Sequence, residues 1–93
     1  MARAAMRIRV EGRVQGVGYR WWTVRQARAL GLDGWVRNRP DGGVEILAIG
    51  DASALRALAQ ACRRGPSSAV VQRVETEATE DDGSQSFDER PTA

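Results

Sequence analysis

MRIRVEGRVQGVGYR, residues Met6 to Arg20, passes from one kind of backbone to another through a loop with few side chains. From Met6 to Val10 apolar and charged residues alternate. Met6, Ile8 and Val10 fall on one side and Arg7, Arg9 and Glu11 on the other, the period of a half-buried strand. Glycines then recur at 12, 16 and 18, where the backbone can take positive φ values that side chains forbid. Beyond Arg20 the stretch WWTVRQARAL, residues 21–30, has helical composition. Trp22, Thr23, Ala27 and Leu30 share a face, Arg25 and Arg28 point away, and Gly31 supplies a stop.

Working outward, GWVRN (34–38) reads as a short strand, PDGG (40–43) as a turn, and VEILAIG (44–50) as a strand with Val44, Ile46 and Ala48 on one side. Leu55, Leu58, Ala59 and Cys62 follow the apolar stripe of a second helix, capped by Asp51 or Ser53 and ended by Gly65-Pro66. Cys62 lies on that stripe and reads as a small buried apolar residue. AVVQRVETEAT (69–79) is a further strand, EDDGSQS (80–86) a polar loop, and FDER (87–90) a short last strand. The order is βαββαβ, the ferredoxin-like split βαβ pattern of an α+β sandwich, with two helices on one face of an antiparallel sheet. One domain is expected over residues 1–93, with 1–5 flexible. Because this fold serves many functions, the site must identify the function.

The inventory of side chains narrows the chemistry. There is one cysteine and no histidine, so no intramolecular disulfide and no zinc or redox pair is expected. All fourteen basic residues are arginine, which removes lysine Schiff-base chemistry and the P-loop lysine. The first ten residues lack the apolar core of a signal sequence, no stretch approaches a membrane span, and a reducing, cytoplasmic setting is expected. Net charge is only +2, but Met1 to Arg39 holds nine arginines and two acids, whereas Glu75 to Arg90 holds seven acids and one arginine. A basic half fits an anionic ligand, and also a merely solvated face.

The glycine loop favours the ligand. A strand-to-helix loop of this kind can turn successive N–H groups into one concavity, a nest for an anion. A helix beginning near Arg20 adds uncapped amides and its dipole to the same preference. The planar guanidinium of Arg20 can hold two phosphate oxygens at once. The dinucleotide fingerprint is excluded because Trp21 stands where its third glycine would be.

Two motifs taken together resemble the signatures of the acylphosphatase family. The first, V-x-G-x-V-Q-G-V-x-[FY]-R, is met by Val10, Gly12, Val14, Gln15, Gly16, Val17, Tyr19 and Arg20. The second, G-[FYW]-V-x-N-x-x-x-G-x-V with a later glycine, is met by Gly34, Trp35, Val36, Asn38, Gly42, Val44 and Gly50. The resemblance runs from about residue 6 to 90. It implies the ferredoxin-like fold and hydrolysis of the carboxyl-phosphate anhydride of acyl phosphates, with inorganic phosphate as product. By motif position it implies Arg20 as the phosphate-binding arginine and Asn38 as the residue that orients water, with the loop amides of Gln15, Gly16, Val17, Gly18 and Tyr19 around the phosphate.

That chemistry suits a chain without histidine. A carboxylate is a good leaving group, so catalysis can consist of positioning and charge stabilisation. Asn38 can accept one hydrogen bond from a water and donate others, but cannot take its proton. No metal and no cofactor is expected, the partner is a small acyl phosphate substrate, without nucleic acid or membrane, and the protein is expected to be a monomer. Trp22 and Trp35 read as core and Trp21 as partly exposed beside the site. The rivals are a non-catalytic phosphate-binding module and an RNA-binding module. RNA-recognition sheets carry exposed aromatics on their central strands, and MRIRV and VEILAI contain none.

Overall fold

The computed structural model describes residues 3–93. Its elements are β1 (Ala4–Arg13), α1 (Tyr19–Ala29), β2 (Asp33–Asn38), β3 (Val44–Gly50), α2 (Ala52–Arg64), β4 (Val70–Thr79) and β5 (Phe87–Arg90), with the strands in the order β4-β1-β3-β2-β5. The β1–β3, β1–β4 and β2–β3 pairs are antiparallel as expected. β5 pairs with β2 in parallel, so the sheet is mixed. The polar loop 80–86 carries the chain across to β2, and β5 enters the sheet in the direction of its neighbour.

Both helices cover one face of the sheet. The alternation in β1 and β3 brings Ile8, Val10, Val44, Ile46 and Ala48 to that face, where they meet Leu55, Leu58, Ala59 and Cys62 of α2 and Tyr19, Val24 and Ala27 of α1. Burial raises the Cys62 thiol to about 12. Helix α1 begins two residues before WWTVRQARAL and buries Tyr19, Thr23, Val24 and Ala27. Trp22 and Leu30 are only half-buried, Trp22 packing tilted against Tyr19. The face is rotated because Tyr19, not a tryptophan, anchors the first turn in the core. The buried Thr23 hydroxyl donates back to the Tyr19 carbonyl, the usual way a helix satisfies such a group. Asp51 caps α2 by accepting from the Ser53 amide.

Trp35 is buried, but on the opposite face of the sheet, with Leu47, Ile49 and Ala5. There the arginines of the basic half find acids within the same chain. Glu45, 7 % exposed, lies under Arg7, Arg37 and Arg39. Asp81 and Asp33 take Arg3, and Arg3 holds the Asp81 carboxyl below its usual range. The uneven charge along the chain is therefore largely neutralised where the N-terminal half meets the acidic segment and Glu45. Residues 3–5 also depart from the flexible terminus expected over 1–5. Ala4 and Ala5 pair with Gly50, Ile49 and Thr79, while Met1 and Ala2 lie outside the described residues.

Candidate active site

Gly12 sits at the register shift between Glu11 and Gly12 in the β1–β4 pair, with φ 130°. A Cβ there would stand 2.2 Å from the Val70 carbonyl oxygen, so this glycine serves a close approach within the sheet, not an anion nest. The loop proper follows. Val14 and Val17 pack into or against the core. Gly16 and Gly18 take the left-handed conformation, φ 74° and 79°, with open space where a Cβ would be, so each is needed for its backbone angle alone. Gly18 is the N-cap of α1 and offers no side-chain acceptor, and the first turn contains no acid. The positive end of the helix is thus left to solvent or to a ligand.

A cavity of about 120 Å³ opens at this end. The loop and first turn supply Val14, Gly16, Gly18, Tyr19, Arg20 and Trp21; the end of β2 supplies Asn38; and β5 supplies Glu89. Arg20 donates from Nη1 to the Arg90 carbonyl oxygen at 3.2 Å, which fixes the guanidinium and leaves its other N–H groups free. Among the described residues no carboxylate lies within ion-pair distance of it. The Asn38 carboxamide likewise has no protein hydrogen-bond partner among the described residues, while its main-chain oxygen accepts from the Ala93 amide at 3.1 Å. A wider apolar groove of about 290 Å³ between β1, α2 and β4 holds no residue of either motif.

A pinned guanidinium with no carboxylate partner among the described residues, an uncapped helix N-terminus and an unengaged carboxamide thus share one small cavity. The acylphosphatase family model matches residues 6–89. The chain belongs to the acylphosphatase family. An acylphosphatase from Rhizorhabdus wittichii is 49% identical over 90 residues, 97% of this chain and 91% of the relative. The solved acylphosphatase from Coxiella burnetii superposes with a TM-score of 0.92 at 31% identity, covering 96% of this chain and 94% of that one. The Bacillus subtilis acylphosphatase gives 0.90 at 38% identity, covering 94% and 98%.

Within this acylphosphatase fold the structure brings Arg20, Asn38, Gly16, Gly18 and Tyr19 together and sets Gln15 and Val17 apart from the cavity wall. The Gln15 side chain has another task. Its Nε2 donates to the main-chain oxygens of Arg39 and Gly43, at 2.7 and 2.8 Å, tying the loop to the hairpin next to Asn38. Tyr19 is 1 % exposed, and its hydroxyl donates to the Cys62 carbonyl at 2.7 Å. That oxygen would be paired in a continuing helix by residue 66, which is Pro66 and has no N–H. Tyr19 thus fastens the first turn of α1 to the last turn of α2, and burial raises its phenol above the usual range. Sequence reasoning missed Glu89 and the Arg90 carbonyl because their place beside Arg20 depends on the parallel pairing of β5. Alternation along FDER, with Phe87 inward, was the available signal that Glu89 shares the helix face.

Proposed function

We propose that this chain hydrolyses acyl phosphates to a carboxylate and inorganic phosphate by direct attack of water. What supports the reading is the convergence of the Arg20 guanidinium and the Asn38 carboxamide on one cavity beside the glycine loop. In this reading the loop and first-turn amides and Arg20 hold the phosphoryl group, and a charged hydrogen bond of this type contributes about 1.5 to 3 kcal/mol. Asn38 accepts a hydrogen bond from the attacking water and sets its direction. A new bond forms from water oxygen to phosphorus, the phosphorus–oxygen bond to the acyl group breaks, and its electron pair leaves on the carboxylate. The water proton passes to a phosphate oxygen or to solvent, since asparagine has no basic lone pair to take it.

In this reading no phosphoenzyme forms: no cysteine, histidine, lysine, serine or threonine lines the cavity, the Tyr19 hydroxyl is buried and donates to the Cys62 carbonyl, and phosphate on Glu89 would only be another acyl phosphate. The reading needs no metal, because the guanidinium and the loop amides would supply the charge stabilisation. We further read the chain as a cytoplasmic monomer. Phosphate release from benzoyl phosphate by the purified protein, in EDTA, tests the reading. Turnover that survives EDTA and is lost in Arg20→Ala is expected. A phosphorylated side chain trapped by rapid quench would refute direct water attack.

A further inference from the structure

Most of the surface near the cavity is polar, with one exception. Trp21 is 61 % exposed, lies in the cavity wall, and directly follows Arg20. A single exposed apolar residue is ordinary on a protein surface; what sets Trp21 apart is that its exposed ring stands in the wall of the cavity that holds Arg20 and Asn38. Its ring is also held: the Arg25 guanidinium, one turn along α1, lies over it at 4.8 Å from the centroid. The indole is therefore a supported apolar surface at a fixed place relative to Arg20.

We infer that Trp21 is the acyl-group platform of this site and selects uncharged aromatic acyl phosphates over acetyl phosphate. The inference rests on the hydrolytic reading above. Once the phosphoryl group is held at Gly16, Gly18 and Arg20, the acyl carbon is only the bridging anhydride oxygen away and its substituent must run out along the cavity wall. Val14 is too buried to meet it, and Asn38 and Glu89 are polar. Trp21 is the wall residue with exposed apolar area to offer. An aryl ring can lie offset against the indole, whereas an acetyl methyl presents far less area to bury. The Glu89 carboxylate in the same wall opposes acyl groups that carry a negative charge of their own.

The test is the ratio of kcat/KM for benzoyl phosphate to that for acetyl phosphate, measured in the wild type, Trp21→Ala and Trp21→Phe. Comparing ratios between variants cancels the intrinsic reactivity of the two substrates and any difference in the folded fraction of enzyme. Burial of part of a phenyl ring against the indole corresponds to about a five- to tenfold preference. The ratio is expected to fall by that factor in Trp21→Ala and to be largely kept in Trp21→Phe. An unchanged ratio in Trp21→Ala would overturn the platform and leave the hydrolytic reading intact. Failure of the wild type to hydrolyse either substrate would overturn the hydrolytic reading and this inference with it.

Discussion

Replacing Gln15 by alanine removes the one side chain that, among the described residues, hydrogen-bonds the glycine loop to the β2–β3 hairpin. Two hydrogen bonds are lost, at 2.7 and 2.8 Å to the Arg39 and Gly43 oxygens. A hydrogen bond of this kind contributes about 0.5 to 1.5 kcal/mol net, so the pair sets an upper limit of about 3 kcal/mol. The orphan penalty is avoided, however. The Arg39 oxygen still accepts from the Gly42 amide at 3.1 Å, and the Gly43 oxygen from the Arg39 amide at 2.9 Å. A loss of about 1 to 2 kcal/mol is therefore expected, or a Tm lower by roughly 4 to 16 °C in a domain of this size. Because Arg39 follows Asn38 directly, the freed hairpin also lets the carboxamide drift from the loop. We expect kcat to fall about 5- to 20-fold, since misplacement of a positioning group is costly, while Kd for inorganic phosphate changes less than about threefold. Thermal unfolding followed by circular dichroism, calorimetric phosphate titration and steady-state kinetics measure the three quantities. A Tm within 1 °C of wild type would refute the staple, and a lowered Tm with kcat unchanged would reduce it to a purely structural link.

Tyr19→Phe leaves the Cys62 carbonyl without its hydroxyl partner at a helix end where Pro66 cannot donate; urea unfolding should show a loss of about 1 to 3 kcal/mol with kcat/KM nearly unchanged. Stability in the wild type should also fall on the alkaline side. The folded-state values of Cys62 and Tyr19 are raised, so the stability they contribute is complete below their unfolded values of 9.0 and 10.0 and is lost as pH rises past these. Unfolding midpoints in urea at pH 8 and pH 10.5 check this, and equal midpoints would contradict it.

The local periodicities of this chain were enough for the sandwich because its core obeys them. Ile8 and Val10, Val44 with Ile46 and Ala48, and the stripe from Leu55 to Cys62 all face the interior their spacing implies. What the chain hid depends on contacts between distant segments. Trp35 is apolar and buried, yet it belongs to the far face, a distinction invisible until Leu47 and Ile49 are known to cover the same side of the sheet. Gly12 looks like part of a glycine-rich nest, but its neighbour is the Val70 carbonyl across the β1–β4 bulge. The charge halves look like a surface for an anionic partner, whereas Glu45 engages Arg7, Arg37 and Arg39, and Asp33 and Asp81 engage Arg3. Arg20 and Asn38, which the structure brings to one cavity, were singled out in the sequence because two separate motifs contain them. Glu89 was not, because its position follows from the parallel seating of a four-residue strand.

The division of labour proposed for Arg20 and Asn38 is tested most directly by setting inorganic phosphate affinity beside kcat in the Arg20→Ala and Asn38→Ala proteins. Arg20→Ala should show no detectable phosphate binding. Asn38→Ala should bind phosphate within about threefold of wild type while kcat for benzoyl phosphate falls by about 10²- to 10³-fold, the size of loss seen when one hydrogen bond made in the transition state is removed. An Asn38→Ala protein with kcat preserved and KM raised would contradict the account, for the carboxamide would then be holding substrate and not directing water.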